Sequence, residues 1–355
     1  MIKELPAILR LFRHTKQLRR NAGVYFPEHK PQKPDYLLFV NSFFGLEIPR
    51  DLPPLAAPVG PILAEKYPPL DAPCGEFLSN HTNTMYIALG THVILTQRDV
   101  EKIMHGLFRL LDEHLIDGVI WALGAGPRQD LDPNHRILVK TLTTVKDQEI
   151  RLGDLLDGKD PNWLFPYFAP QRAVLAHEST RIYFTHGGGS SANEGTFHGK
   201  KMLSMGIFSD QIANTTRLAA AGVAESLHKF RFTSDEIYTK AKLLLQDKDG
   251  TYQRNTLRMM RIAHVASQRK YYAADLMEEV LYDSELRFSD EDDNYEHHNR
   301  RELRPMHLQT ADMRMPAYKA KNWDMMAVCS LTGICAAGFS VWLGKFFWQS
   351  FIVRR

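Results

Sequence analysis

The sequence is poor in cysteine. Three occur among 355 residues, Cys74, Cys329 and Cys335, and the last two lie in an apolar C-terminal stretch. That excludes a disulfide framework and a CxxC metal site. Charge of one sign is also scarce: 44 Lys and Arg against 41 Asp and Glu leave a net +3, too little to argue for nucleic acid. Residues 1–22 offer no apolar run long enough for a signal peptide, because Arg10 and Arg13 interrupt it. Long uncharged runs are absent except for one, Met325 to Gly344. What is present, 44% hydrophobic and 24% charged residues, suits a globular protein with a sizeable core and one unusual end.

The most informative stretch runs from Phe168 to Gln211. Arg181–Thr185 (RIYFT) is a β-branched and aromatic run, expected as a buried strand. His186 and three glycines follow at once, letting backbone N–H groups approach a ligand without Cβ interference. Ser190-Ser191 is expected to N-cap the next helix, with Ser191-x-x-Glu194 as a capping box. A glycine loop between a strand end and a helix N-terminus is a phosphate-binding arrangement. It is not the dinucleotide fingerprint, because Gly187-x-Gly189 lacks a glycine three residues on.

Taken in order, residues 1–22 place Leu5, Ile8, Leu9 and Phe12 on one side of a basic helix. This is expected to pack on its own domain; an anionic membrane surface or a transit peptide is the alternative. Tyr36–Val40 reads as a strand, and the proline-rich stretch Pro49–Pro73 as a linker without regular structure. Strands are expected at Met85–Leu89, Val119–Leu123, Trp163–Phe165, Arg181–Thr185 and Lys201–Met205. A helix between the first two has Thr96-x-x-Asp99 near its start and buries Ile103, Leu107, Leu110 and Leu111. This βαβ alternation predicts an α/β fold with a parallel, doubly wound sheet whose ligands bind at the strands' carboxyl ends. Beyond Gln211 the chain reads as helical, over Leu218–Ala224, Ser234–Leu245 and Asn255–Tyr282. Ser289–His298 is an acidic segment whose His297-His298 pair is expected to be solvated rather than metal-bound. Asp130-x-Asp132 is likewise expected as a loop beside Pro133, not a metal site. The uncharged run Met325–Gly344 is long enough to span a bilayer, with Trp323, Trp342 and Trp348 suited to its interfaces; a buried core helix is the alternative.

Ala169-Pro-Gln171, His177, Thr185-His-Gly-Gly188, Ser191-x-x-Glu194, Gly199 and Asp210-Gln211 together resemble the donor-binding signature of UDP-glycosyltransferases. Asn41-Ser42, Leu46–Pro49, Val59–Ile62 and Asn322–Asp324 extend the resemblance along the chain, but only to the C-terminal half of that family's two-domain GT-B fold. The resemblance implies a remnant of the N-terminal acceptor domain over 1–48, a linker over 49–80 and a UDP-sugar donor domain over 81–288. It further implies a charged linker over 289–324, a transmembrane helix over 325–345 and a basic tail over 346–355.

By the same resemblance, Phe168 stacks on uracil, Ala169 and Gln171 flank the base, and Glu194 binds the ribose hydroxyls. His186, the N–H groups of Gly188, Gly189, Ser190 and Ser191, and Gly90-Thr91 hold the diphosphate, while Asp210 and Gln211 contact a glucose-like sugar. The implied reaction is inverting hexose transfer from a UDP-sugar co-substrate to an acceptor hydroxyl, with no metal or other cofactor. The expected acceptor is a lipophilic small molecule or a lipid, and nucleic acid is not a partner. The family's base, a histidine oriented by an aspartate, has no counterpart here, so no catalytic base is identifiable. A donor half completed by a separate acceptor-domain subunit, or a non-enzymatic membrane-tethered binder, are the alternatives. Lys201 and Gly206 replace family prolines, and Gly189-Ser190 replaces Trp-Asn of plant members; these changes are expected to reshape the sugar side. The family's membership of the endoplasmic reticulum membrane, single-pass at the C-terminus, is expected to apply. Arg314, Lys319 and Lys321 before the run leave a cytosol-facing tail anchor as the alternative to a lumenal domain.

Overall fold

The computed structural model describes residues 5–26, 36–49, 51–53, 56–91, 93–139, 148–286 and 311–352. The chain forms two compact units, Met1–Tyr36 with Leu308–Arg355, and Leu37–His307. In the first, α1 (Leu5–Asn21) buries none of its residues. Leu5, Ile8, Leu9 and Phe12 are all exposed, so the expected packing of this helix on its own domain is not found. The helical spacing set the helix and its stripe, and spacing alone cannot supply a partner for either.

The second unit opens with β1 (Leu38–Val40) and β2 (Ala56–Pro58), paired in parallel. The stretch Pro49–Pro73 therefore does carry regular structure, contrary to expectation. Pro58 is tolerated because it ends an edge strand, where its missing N–H breaks no interior ladder. Helix α2 (Ala72–Asn80) follows, with Asp71 accepting from Cys74 N at its start and a proline in its first turn. Its Cys74, Phe77 and Leu78 are buried in the core, so the proline-rich segment ends in packed structure.

The alternation then runs β3 (Thr84–Ala88), α3 (Gln97–Asp112), β4 (Gly118–Ala122), α4 (Ala125–Gln129) and the antiparallel hairpin β5 (Arg136–Val139) and β6 (Gln148–Arg151). It continues with α5 (Leu152–Leu156), β7 (Trp163–Leu164), α6 (Gln171–Ala176), β8 (Thr180–Thr185), α7 (Gly189–Phe197), β9 (Lys201–Ser204) and α8 (Asp210–Ala220). The unit closes with β10 (Ala224–Ser226), α9 (Ser234–Gln246), α10 (Thr251–Ala266) and α11 (Arg269–Leu286). Two readings need correction. Residues 224–226 form a strand, too short and too polar to show a period of two. The single helix expected over Asn255–Tyr282 is two, broken at Ser267, which caps α10.

Six strands form one parallel sheet in the order β10-β9-β8-β3-β4-β7. The chain steps outward from β3 through β4 to β7, then returns to β8 on the other side of β3 and steps outward again. The five strands expected between Met85 and Met205 all lie in it, while the one expected at Tyr36–Val40 is β1 of the separate two-stranded sheet. Both faces are covered, which is why β3 and β8 read as continuous apolar runs rather than alternating ones. Ile103, Leu107, Trp121, Phe184 and Ile237 fill one side against α3 and α9; Tyr86, Tyr183, Val174, Leu218 and Met259 fill the other. Truncating the fully buried Leu107 to alanine is expected to cost about 3 kcal/mol.

At the C-terminus, α12 (Ala311–Arg314) and α13 (Ala317–Ala320) precede α14 (Trp323–Ile352). Within α14, Trp323–Lys345 is long and apolar enough to cross a membrane, and none of its most apolar window is buried. The core-helix alternative is therefore not met. The acidic segment Ser289–His298 and the terminal Arg354 and Arg355 lie outside the described residues.

Candidate functional site

The strand order reverses between β3 and β8, and the crevice at such a reversal is where doubly wound sheets bind ligands. Ala88 pairs with Thr185 at the carboxyl ends of these strands, so Gly90 and His186 emerge side by side. A Cβ added to Gly90 would stand 2.9 Å from His186 Nε2, and one added to Gly188 would stand 2.5 Å from the same atom. The imidazole thus lies in a slot that only glycine leaves open on both sides. Gly90 (φ 85°) and Gly187 (φ 74°) also hold left-handed backbone that favours glycine. Burial pushes the His186 pKa below its ordinary value, opposed by the Ala88 carbonyl and the Asp210 carboxylate. Its Nδ1 is buried and makes no hydrogen bond of good geometry. The side chain is held neutral at pH 7, and Thr91, which follows Gly90 in the chain, is exposed.

Helix α7 begins earlier than the sequence suggests. Gly188 is the N-cap and contributes no side-chain cap, and the first intrahelical bond runs from Ala192 N to Gly188 O at 2.8 Å. The expected capping box at Ser191 is therefore not formed: Ser190 and Ser191 lie inside the first turn, because Gly189 already takes helical backbone. The N–H groups of Gly189, Ser190 and Ser191 precede the first helical bond and face out of the helix end. No acidic residue occupies that turn. Three backbone donors, the positive end of a helix dipole and a neutral histidine can together hold a diphosphate.

Glu194, released from capping, accepts from Gln171 Nε2 at 2.5 Å. Gln171 opens α6, just beyond the buried Ala169 and the exposed Phe168. Phe168 is 79% exposed, an apolar ring free to stack. The neighbouring Tyr167 lies under the Arg128 guanidinium, 4.1 Å from its ring centre. Two motif residues prove structural. His177 accepts from Ser179 N in the turn after α6, and Gly199 (φ 62°) passes within reach of Met260.

On the other side, Asp210 and Gln211 open α8, after Ser209 in strained left-handed backbone (φ 54°). The Asp210 carboxylate lies near α7: a Cβ on Gly189 would be 3.7 Å from its Oδ2. Gln211 is buried, and its Oε1 accepts from Ile207 N and Phe208 N, so half of its amide already holds its own turn. Lys201 is at the amino end of β9, bonded to Leu244 O and Asp247, so that departure from the family pattern lies away from the strands' carboxyl ends. Gly206 lies at the opposite end of the strand, where a Cβ would stand 2.7 Å from Ile212 Cα. Asp132 accepts from Asn134 N in its own turn, as a loop residue does.

Sequence reasoning missed Asn214, Tyr86 and Tyr183. Asn214 Nδ2 donates to both Gly187 O and Asp210 Oδ2 at 2.9 Å, tying the glycine loop to α8. Its spacing of four from Asp210 was the available signal. The tyrosines sit opposite each other in the β3–β8 register, a pairing visible only once the sheet order is known. A separate concavity, about 820 Å³, opens beside β10 and is lined by Glu225, Lys242 and Tyr252; none of the strand-end groups lines it.

Residues 32–269 match the family described as UDP-glucoronosyl and UDP-glucosyl transferase. This chain belongs to the UDP-glycosyltransferase family. It is 42% identical over 345 residues to UDP-glycosyltransferase FPY2 of Fusarium mangiferae, covering 92% of this chain and 62% of that protein. It is 41% identical over 332 residues to UDP-glycosyltransferase stmC of Aspergillus ustus, covering 93% and 60%. The chain thus spans about three fifths of the length of these relatives. Among solved structures, a UDP-glucose: anthocyanidin 3-O-glucosyltransferase in complex with UDP aligns with TM-score 0.48 and 18% identity, over 66% of this chain and 52% of that one.

Proposed function

We propose that this chain forms the donor side of a UDP-glycosyltransferase, binding a UDP-sugar for inverting transfer of its hexose to an acceptor hydroxyl. The observation that carries this reading is the meeting of the Gly90 turn, His186 and the open end of α7 at the sheet's switch point. Phe168 stacks on the uracil and Glu194 holds the ribose hydroxyls. Gly90-Thr91, His186 and the N–H groups of Gly188 to Ser191 hold the diphosphate, and Asp210 with Gln211 meets the sugar. As the glycosidic bond to UDP breaks, negative charge grows on the β-phosphate. The helix end and His186 stabilise that charge without reorganising, so the leaving group departs without a metal ion. None of the gathered groups is assigned the acceptor's base.

We place the chain at a membrane through Trp323–Lys345, with the endoplasmic reticulum as the compartment and a lipophilic acceptor drawn from the bilayer or supplied to it. Calorimetric titration of UDP and UDP-glucose into the full chain in detergent, without metal, tests the donor reading. Binding that weakens about tenfold in His186→Ala is expected. A folded wild-type chain that binds neither nucleotide overturns it.

A further inference from the structure

The Gln171 amide is the centre of a half-buried hydrogen-bond relay. Tyr86 on β3 and Tyr183 on β8 are fully buried, face each other in register, and stack with ring centres 5.3 Å apart. Both hydroxyls donate to Gln171 Oε1, at 3.3 Å and 3.1 Å. On its other side Gln171 Nε2 donates to Glu194. The direction of the amide follows from chemistry. A carboxylate only accepts, so it must meet the NH2, and the carbonyl then turns to the two phenols, which must donate. Burial keeps those phenols protonated, with Tyr183 pushed up to about 12 and the Glu194 charge adding to the effect. Both acceptor sites of Oε1 and one of the two Nε2 protons are therefore committed within the protein. Gln171 has little left with which to read the base.

We infer that Tyr86 and Tyr183 are positioning residues that act through Gln171 to fix the Glu194 carboxylate against the ribose hydroxyls. This rests on the proposed donor site and adds to it a division of labour. Phe168 holds the base by stacking, while the tyrosine pair, two residues of sheet core, sets how strongly ribose is recognised.

The test compares UDP with 2′,3′-dideoxy-UDP, which lacks the hydroxyls Glu194 would hold, by calorimetry on the full chain in detergent. Wild type is expected to prefer UDP by at least about tenfold, the scale of hydrogen bonds to a charged group. In Tyr86→Phe/Tyr183→Phe, which keeps ring volume and stacking, that preference should collapse while dideoxy-UDP affinity stays unchanged. Each single variant should lose part of it, which keeps the test intact should the double variant fail to fold. Gln171→Met should behave as the double variant does. Equal losses for both nucleotides would mean the tyrosines merely support the fold, and an unchanged preference would mean the relay does not reach ribose; either overturns the inference while leaving the donor site standing. A wild-type chain that binds neither nucleotide overturns the donor site itself, and this inference with it.

Discussion

Two helices start at carboxyl ends of the same sheet, and their first turns are built differently. At α3 the chain closes its own helix end. Thr96 Oγ1 accepts from Asp99 N, the Asp99 carboxylate accepts from the Thr96 hydroxyl at 2.7 Å, and Lys102 pairs with it at 2.8 Å. At α7 a glycine caps without a side chain, no acid occupies the first turn, and a neutral histidine stands beside the opening. Both ends have the same dipole and the same orphan donors. At α3 a side chain satisfies one of them, Asp99 N, and contributes stability; at α7 no side chain caps any. The difference teaches that an anion site is recognised by what the chain withholds from a helix end, not by the helix end itself.

The strongest way to break this contrast is to make α7 resemble α3. Gly189→Asp supplies the missing acid, with Gly189→Ala as the control that adds only a Cβ in ordinary contact with Asp210. The aspartate is expected to weaken UDP binding about a hundredfold, through lost charge-assisted bonds and added repulsion. The alanine variant should stay within a few-fold of wild type by the same titration. Next in size, His186→Ala is expected to weaken UDP about tenfold by removing one hydrogen bond to a charged group. Thr96→Ala sharpens the other side: it should lower unfolding stability by about 1 kcal/mol in urea melts and leave UDP affinity unchanged.

The smallest effect lies in pH. His186 has a folded pKa below 6.5, so the unfolded chain binds the extra proton first, and stability should decline as pH falls below 6.5. Asp99 behaves in the carboxylate sense. Burial alone would raise its pKa, but hydrogen bonds from Lys102 and Thr96 hold it below 3.8, so its contribution is present above that value and fades as pH falls beneath it. Urea melts across pH 7 to 3 should therefore show a loss beginning below pH 6.5 that is smaller in His186→Asn, the remainder carried by His198, which burial lowers to about 4, and a further loss below pH 4 that is smaller in Asp99→Asn.

Much of this was legible in the sequence. Buried parallel strands advertise themselves as apolar runs, and the β3, β4, β7, β8 and β9 segments were all readable for that reason. Thr96-x-x-Asp99 predicted its own cap correctly because that signal is local. Ser191-x-x-Glu194 carried the same pattern and failed. The glycines ahead of it let the helix start sooner, and Glu194 found a partner on another helix. The tyrosine pair and the double anchor of Asn214 were invisible for a related reason: they depend on which strands and loops become neighbours. The exposed stripe of α1 shows the converse, a periodicity that names a helix and leaves its partner unstated.

The central claim is that the diphosphate sits on the open end of α7. It is tested most directly by titrating UDP and uridine into wild type and Gly189→Asp under identical conditions. The account predicts that wild type favours UDP over uridine by at least about a hundredfold. It predicts that most of that margin vanishes in the variant while uridine affinity holds. A margin of the same size in both proteins would contradict it, and would put the phosphates somewhere other than this helix end.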